Sequence, residues 1–136
     1  MKTEELKTKL ERLTKYLLEI GMILKFADKE IQDDPQKLRS IERVYQLIVD
    51  EAIDINVLFL SGEYQYVLDT YRASFEELSK RGVLSEELTT KISGSVKLRN
   101  DIVHEYEFLQ KNEMIKGIRK FVALFAEYVK LISQKI

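Results

Sequence analysis

Residues 3–32 read TEELKTKLERLTKYLLEIGMILKFADKEIQ, and the spacing of their apolar side chains decides the fold class. Leu6, Leu10, Leu13, Leu17, Ile20, Leu24, Ala27 and Ile31 recur at alternating steps of four and three. That rhythm draws one apolar seam along a long helix, because residues three and four apart share a helix face. Thr3 is placed to cap the start, with Glu4 and Glu5 in the first turn, where negative charge meets the positive end of the helix dipole. Asp33-Asp34-Pro35 ends this helix and starts the next, with Pro35 at an early helical position.

The same period continues outward. Residues 36–60 carry Ile41, Tyr45, Ile48, Ala52, Ile55 and Phe59 in one stripe, and Val44, Leu47, Glu51, Asp54 and Leu58 in a second beside it. Two carboxylates thus interrupt an apolar stripe and, if buried, need partners. Ser61-Gly62 is expected to close this helix. A shorter helix is expected within residues 63–82, with Tyr71, Phe75 and Leu78, stopping at Arg81-Gly82. Ser85, followed by Glu86 and Glu87, caps a helix that holds Leu88, Ile92, Val96 and Leu98 and runs toward residue 103. Gly94, between two serines, gives it a slim stretch for close approach by another helix. The last helix, about 112–135, carries two adjacent apolar stripes, one from Ile115 to Ile132 and one from Met114 to Leu131. A face that wide exceeds what one core-facing side needs, and a second copy of the chain is the expected cover.

The expectation is therefore an all-α antiparallel helical bundle, four main helices plus one short one, in a single domain spanning 1–136. One proline and five glycines leave few breaks, which disfavours a many-turned β-fold. With 33% charged and 45% hydrophobic residues the composition is globular. There is no cysteine, which excludes disulfides and thiolate metal sites. No apolar run is long enough to span a membrane and no signal-peptide pattern opens the chain, so a cytoplasmic protein is expected. Net charge is −1, so a polyanion would have to be met by a local basic patch or by a cleft that a dimer doubles.

One segment concentrates polar chemistry: Arg99-Asn100-Asp101-Ile102-Val103-His104-Glu105-Tyr106. His104 is the only histidine and the natural proton-transfer group. On an unbroken helix Arg99 and His104 stand about 140° apart around the axis. They share a site only if the helix ends or distorts near Asp101–His104, or if a second subunit completes the site. Ile102 and Val103 are expected to anchor the turn in the core. Asp101 and Glu105 flank His104 with negative charge, and Asn100 is suited to orient a phosphate or the imidazole. Glu51 and Asp54 serve either as interface ion-pair partners or to orient Arg99. Lys91, Lys97, Lys116, Arg119 and Lys120 offer a basic lip, although for each an ordinary solvated face is the simpler reading.

The pattern Arg-x4-His-x-Tyr, with a polar residue after the arginine, resembles the signature of HepT toxins in the HEPN superfamily. The similarity extends to Tyr71-Arg72-Ala73-Ser74-Phe75-Glu76-Glu77-Leu78 with Gly82-Val83-Leu84, and to Glu42-Arg43 through Glu51-Ala52-Ile53-Asp54-Ile55. The resemblance implies a homodimeric helical bundle that cleaves RNA without metal or other cofactor. It also implies a partner, a minimal nucleotidyltransferase (MNT) antitoxin that transfers AMP from ATP onto the motif tyrosine, here Tyr106. In that scheme Arg99 grips phosphate oxygens and His104 is base or acid. AMP on Tyr106 would block the cleft by bulk and by repulsion. The rival reading is a non-catalytic HEPN module that binds the nucleotidyltransferase, or serves as its substrate, without cutting RNA. A purely structural helical dimer is a further alternative. A metalloenzyme reading is weak and no metal site is expected: only Glu51 and Asp54 offer neighbouring ligands, and two carboxylates three apart are not a specific site.

Overall fold

A computed structural model describes residues 3–64, 73–104 and 109–136 of the chain. Seven helices lie among them: α1 (Thr3–Ile23), α2 (Asp28–Asp33), α3 (Pro35–Tyr64), α4 (Ala73–Lys80), α5 (Glu86–Ile92), α6 (Ser95–Val103) and α7 (Lys111–Ser133). The all-α class is as the periodicity implies, but two of the expected helices are divided.

The first division falls at residues 24–27, inside the seam of Leu6 to Ile31. Neither glycine nor proline marks it. Arg119 of α7 holds the corner instead. Its guanidinium donates to the Leu24 and Phe26 carbonyls, both at 2.9 Å, and to Asp28 Oδ1 at 2.6 Å. Carbonyls that a continuous helix would satisfy internally are met by a side chain from across the bundle. Ile31 still reaches the core, whereas Ala27, extended at φ −65° and ψ 151°, is exposed. Lys37 lies 4.4 Å above the Phe26 ring and closes the corner from outside.

The second division falls at Ser93-Gly94. A Cβ on Gly94 would come within 3.2 Å of the Phe121 ring, so this is the close approach expected there. The end of α3 also differs from expectation: the helix continues through Ser61 and Gly62 to Tyr64.

Other boundaries follow local chemistry. Asp34 Oδ1 accepts from the backbone N–H groups of Gln36 and Lys37, capping α3 ahead of Pro35. Lys37 Nζ also binds Asp34, at 3.0 Å, and together these bonds hold the Asp34 carboxyl below its usual range. Ser85 Oγ accepts from Leu88 N–H at 3.1 Å, as its place before two glutamates implies. At the end of α4, Gly82 adopts φ 76°, with Gly82 N–H on Ser79 and Val83 N–H on Leu78. This paired pattern satisfies the last carbonyls and needs a residue at ease with positive φ.

Helix α1 runs antiparallel to both long neighbours. Arg12 reaches Glu51 of α3, the start of α1 lies beside Val129–Ser133, and its end lies beside Arg119. The apolar face of α7 is largely covered within the chain: Met114, Ile115, Ile118, Phe121, Phe125, Tyr128 and Ile132 are buried. Phe75, Phe125 and Tyr128 meet edge to face, with ring centroids 5.9–6.4 Å apart. Burial pushes the Tyr128 phenol up, so it stays a donor, to the Ala52 carbonyl at 3.1 Å and to Asn56, whose amide binds Ser74. Buried polar groups are thereby paired where α3, α4 and α7 meet.

Candidate active site at the end of helix 6

Two tethers fix α6 against α3. Tyr45 is fully buried and donates its hydroxyl to the Ser95 carbonyl at 2.9 Å, in the first turn of α6. Burial drives that phenol upward, so the donor is retained throughout the physiological range. One turn later Arg99 is gripped by Asp50 of α3: Nε to Oδ1 at 2.9 Å and Nη2 to Oδ2 at 3.3 Å. This is a two-point fork, which sets the plane of the guanidinium as well as its position. Nη1 remains for Asn100 Oδ1 at 3.1 Å. With 25% of its side chain exposed, Arg99 keeps an accessible edge.

The carboxylate that orients Arg99 is therefore Asp50, and neither Glu51 nor Asp54 takes that part. Glu51 is buried and pairs with Arg12 of α1 at 3.3 Å, while Asp54 is exposed. Glu51 and Asp54 stand out because they interrupt an apolar stripe. Asp50 interrupts nothing, since it lies on the polar side of α3, which is where a rim arginine looks for its partner. The signal available in the sequence was its register: Asp50 is eleven residues after Arg39 and seven after Arg43, on the same helix face.

Helix α6 ends at the edge of the expected segment, Asp101–His104. Val103 is its last residue and His104 caps it at φ −87° and ψ 0°, off the helical track, with its N–H on the Asn100 carbonyl at 3.0 Å. This sparsely used bridge conformation is common in active sites. Ile102 is buried as expected, but Val103 is 38% exposed, so only one of the two apolar residues anchors the turn. Asp101 points elsewhere, to Lys97 at 3.0 Å. Glu105 and Tyr106 lie outside the described residues, as do Tyr71 and Arg72. The structure thus brings together Arg99, Asn100 and Asp50, with exposed His104 at the helix end, and separates Glu51, Asp54 and Asp101 from them.

The expected basic lip is largely neutralised locally. Lys91 pairs with Glu87, Lys97 with Asp101 and Lys116 with Glu113, while Arg119 is spent on the α1–α2 corner and Lys120 lies over Phe121. Among the described residues no group of three or more His, Cys, Asp or Glu side chains is arranged to hold a metal ion. Among the described residues no helix is long and apolar enough to cross a membrane.

The all-α bundle of α1 to α7 has the fold of the HEPN class. Superposition agrees: the AMPylated HEPN toxin of Shewanella oneidensis, solved in complex with an MNT antitoxin, aligns over 95% of this chain and 96% of its own, at TM-score 0.85 and 18% identity. Within that class the chain belongs to the HepT-like ribonuclease family, whose model, described as ribonuclease HepT-like, matches residues 6–132. Its relatives include the tRNA nuclease HepT of Aphanizomenon flos-aquae, 32% identical over 131 residues, which cover 94% of this chain and 87% of that protein. A putative RNase of Archaeoglobus fulgidus is 24% identical over 128 residues, covering 90% and 93%.

Proposed function

We propose that this chain is the toxin of a HEPN/MNT toxin–antitoxin pair and a metal-independent endoribonuclease acting on tRNA. The observation that carries the reading is the forked Asp50–Arg99 pair one turn before the helix stops at His104. A guanidinium held in plane is preorganised for phosphate oxygens, and the imidazole at the helix end is exposed. The tRNA assignment follows the relative of that name.

In the proposed reaction a base takes the proton of the ribose 2′-hydroxyl, and its oxygen attacks the adjacent phosphorus. The P–O5′ bond breaks, and an acid returns a proton to the leaving 5′-oxygen. The products are a 2′,3′-cyclic phosphate and a 5′-hydroxyl. Arg99 stabilises the added charge on the pentacoordinate phosphorus, Asn100 orients phosphate, and His104 transfers protons. One histidine per chain serves both proton transfers when two copies of the chain face each other, and the exposed Val103 beside His104 offers apolar surface for such a dimer. Tyr106 is the proposed acceptor of AMP from the antitoxin, which would fill the phosphate site with bulk and negative charge.

The test is cleavage of tRNA by pure protein in EDTA, with product ends analysed for cyclic phosphate. Cleavage that requires metal, or a His104→Ala variant that folds and cuts equally well, would overturn the mechanism. A protein that accepts AMP from its partner yet never cuts RNA would instead be the non-catalytic binding module.

A further inference from the structure

The charge available to a polyanion lies along α3. Arg39, Arg43, Gln46 and Asp50 fall within about 60° around the helix axis, and the eleven steps from Arg39 to Asp50 span about 16 Å. Asp50 is the residue that holds Arg99, so the stripe leads directly to the candidate site. At its far end Arg39 shares an open pocket of about 590 Å³ with Lys111, the first residue of α7. Asp33, which also lines the pocket, is paired with Lys29 at 3.1 Å, and neighbouring Asp34 is engaged by Lys37 and by its capping bonds. Arg39, Arg43 and Lys111 are exposed, and among the described residues no carboxylate lies within ion-pairing distance of them. This contrasts with Lys91, Lys97 and Lys116, each of which has an acid within 4.0 Å on its own helix.

We propose that Arg39, Arg43 and Lys111 form a track for the RNA backbone, binding phosphates that flank the scissile bond held at Arg99. The track extends the ribonuclease reading and rests on it for the position of the scissile bond. Guanidinium forks spaced one turn apart on a rigid helix suit successive phosphate oxygens without reading bases. The track also bears on the charge problem of a chain whose net charge is −1: among the described residues Asp33, Asp34 and Asp50 on this side are each paired with a cation, while Arg39, Arg43 and Lys111 are not paired with an acid.

The experiment measures binding separately from cleavage. A His104→Ala protein, with and without Arg39→Gln/Arg43→Gln, is titrated with fluorescently labelled bulk tRNA at several salt concentrations. The track predicts weaker binding and a log K versus log salt slope shallower by about 0.7 for each arginine removed from a single-stranded contact. Arg39→Lys/Arg43→Lys should recover most of that slope. In the protein with His104 intact, the glutamine pair should raise KM for tRNA and leave kcat in place. An unchanged slope refutes the track even if the protein is an RNase. Loss of binding to the nucleotidyltransferase alone, with tRNA affinity intact, also refutes it and makes the stripe a protein-docking face. Normal salt-dependent binding through these arginines without cleavage by the intact protein would sink the nuclease reading and leave the track standing.

Discussion

Replacing Arg119 tests whether one side chain divides the first helical seam. Its guanidinium makes three charged hydrogen bonds, to Asp28, Leu24 and Phe26. At about 1.5–3 kcal/mol for each bond to a charged group, the gross figure is roughly 4.5–9 kcal/mol. Most of that is not lost, because the side chains of Arg119 and Asp28 are 35% and 37% exposed, and water replaces part of what is removed. The expected net cost of Arg119→Ala is about 2–3 kcal/mol, or a fall of roughly 10 °C in Tm for a domain of this size. Arg119→Lys keeps the charge for Asp28 but cannot span three acceptors with one ammonium, so about half the loss should remain. Urea unfolding followed by far-ultraviolet circular dichroism, at fixed protein concentration, gives both values. Adding Asp28→Asn to each variant isolates the pair. A loss below about 0.5 kcal/mol for Arg119→Ala would refute the reasoning. It would mean that the packing of Ile20 and Ile31 fixes the corner alone. Equal stability of the lysine variant and the unmodified protein would show that charge, not the fork, suffices.

Asp50→Asn should leave far-ultraviolet circular dichroism unchanged and cost about 1 kcal/mol or less in stability, since the pair is partly exposed. It should lower kcat for RNA cleavage at least tenfold by freeing the Arg99 plane, and an unaltered kcat would remove Asp50 as a positioning residue. Ser95 is fully buried and its hydroxyl has no partner among the described residues, so Ser95→Ala should be neutral or stabilising by up to about 1 kcal/mol; a marked loss in urea unfolding would reveal a missing partner. Tyr45→Phe removes the donor to the Ser95 carbonyl and should cost about 1–1.5 kcal/mol by the same measurement. Asp34 has its carboxyl held below the usual range, so its contribution to stability is present above the unfolded-state value of about 3.9 and is lost as pH falls through the lower folded value. Asp34→Ala should therefore lower Tm at pH 7, with the gap to the unmodified protein closing in strong acid.

Helix identity was written locally, and helix continuity was not. The seam from Leu6 to Ile31 states correctly which side chains face inward at most of its positions, because burial follows a helical period whatever happens between turns. It is silent on the corner at 24–27, because the residue that makes the corner is Arg119, more than ninety positions away. No local propensity signals a break bought by a distant donor. The same holds at Ser93-Gly94, where the sequence shows a slim spot but not the Phe121 ring that fills it. Asp34, Ser85 and Gly82 were legible because a cap is settled within a few residues of itself.

The candidate site divides in the same way. Arg99 and His104 stood out through the motif resemblance, with the condition that the helix ends or distorts near Asp101–His104 or that a second subunit completes the site; α6 ends at Val103, with His104 as its cap. Their carboxylate partner did not stand out, because the apolar-stripe argument selects acids that need burial partners. Glu51 is such an acid and finds Arg12. An arginine proposed to meet phosphate needs the opposite, a carboxylate on the polar face that can fix its plane without burying it. Asp50 meets that requirement because it lies in register with Arg39 and Arg43, which have no acid within ion-pairing distance among the described residues, so the face that orients the site is also the face proposed to lead RNA to it. If the stripe binds RNA, Asp50 is the one acid a polyanion could tolerate there, since its charge is already matched by Arg99.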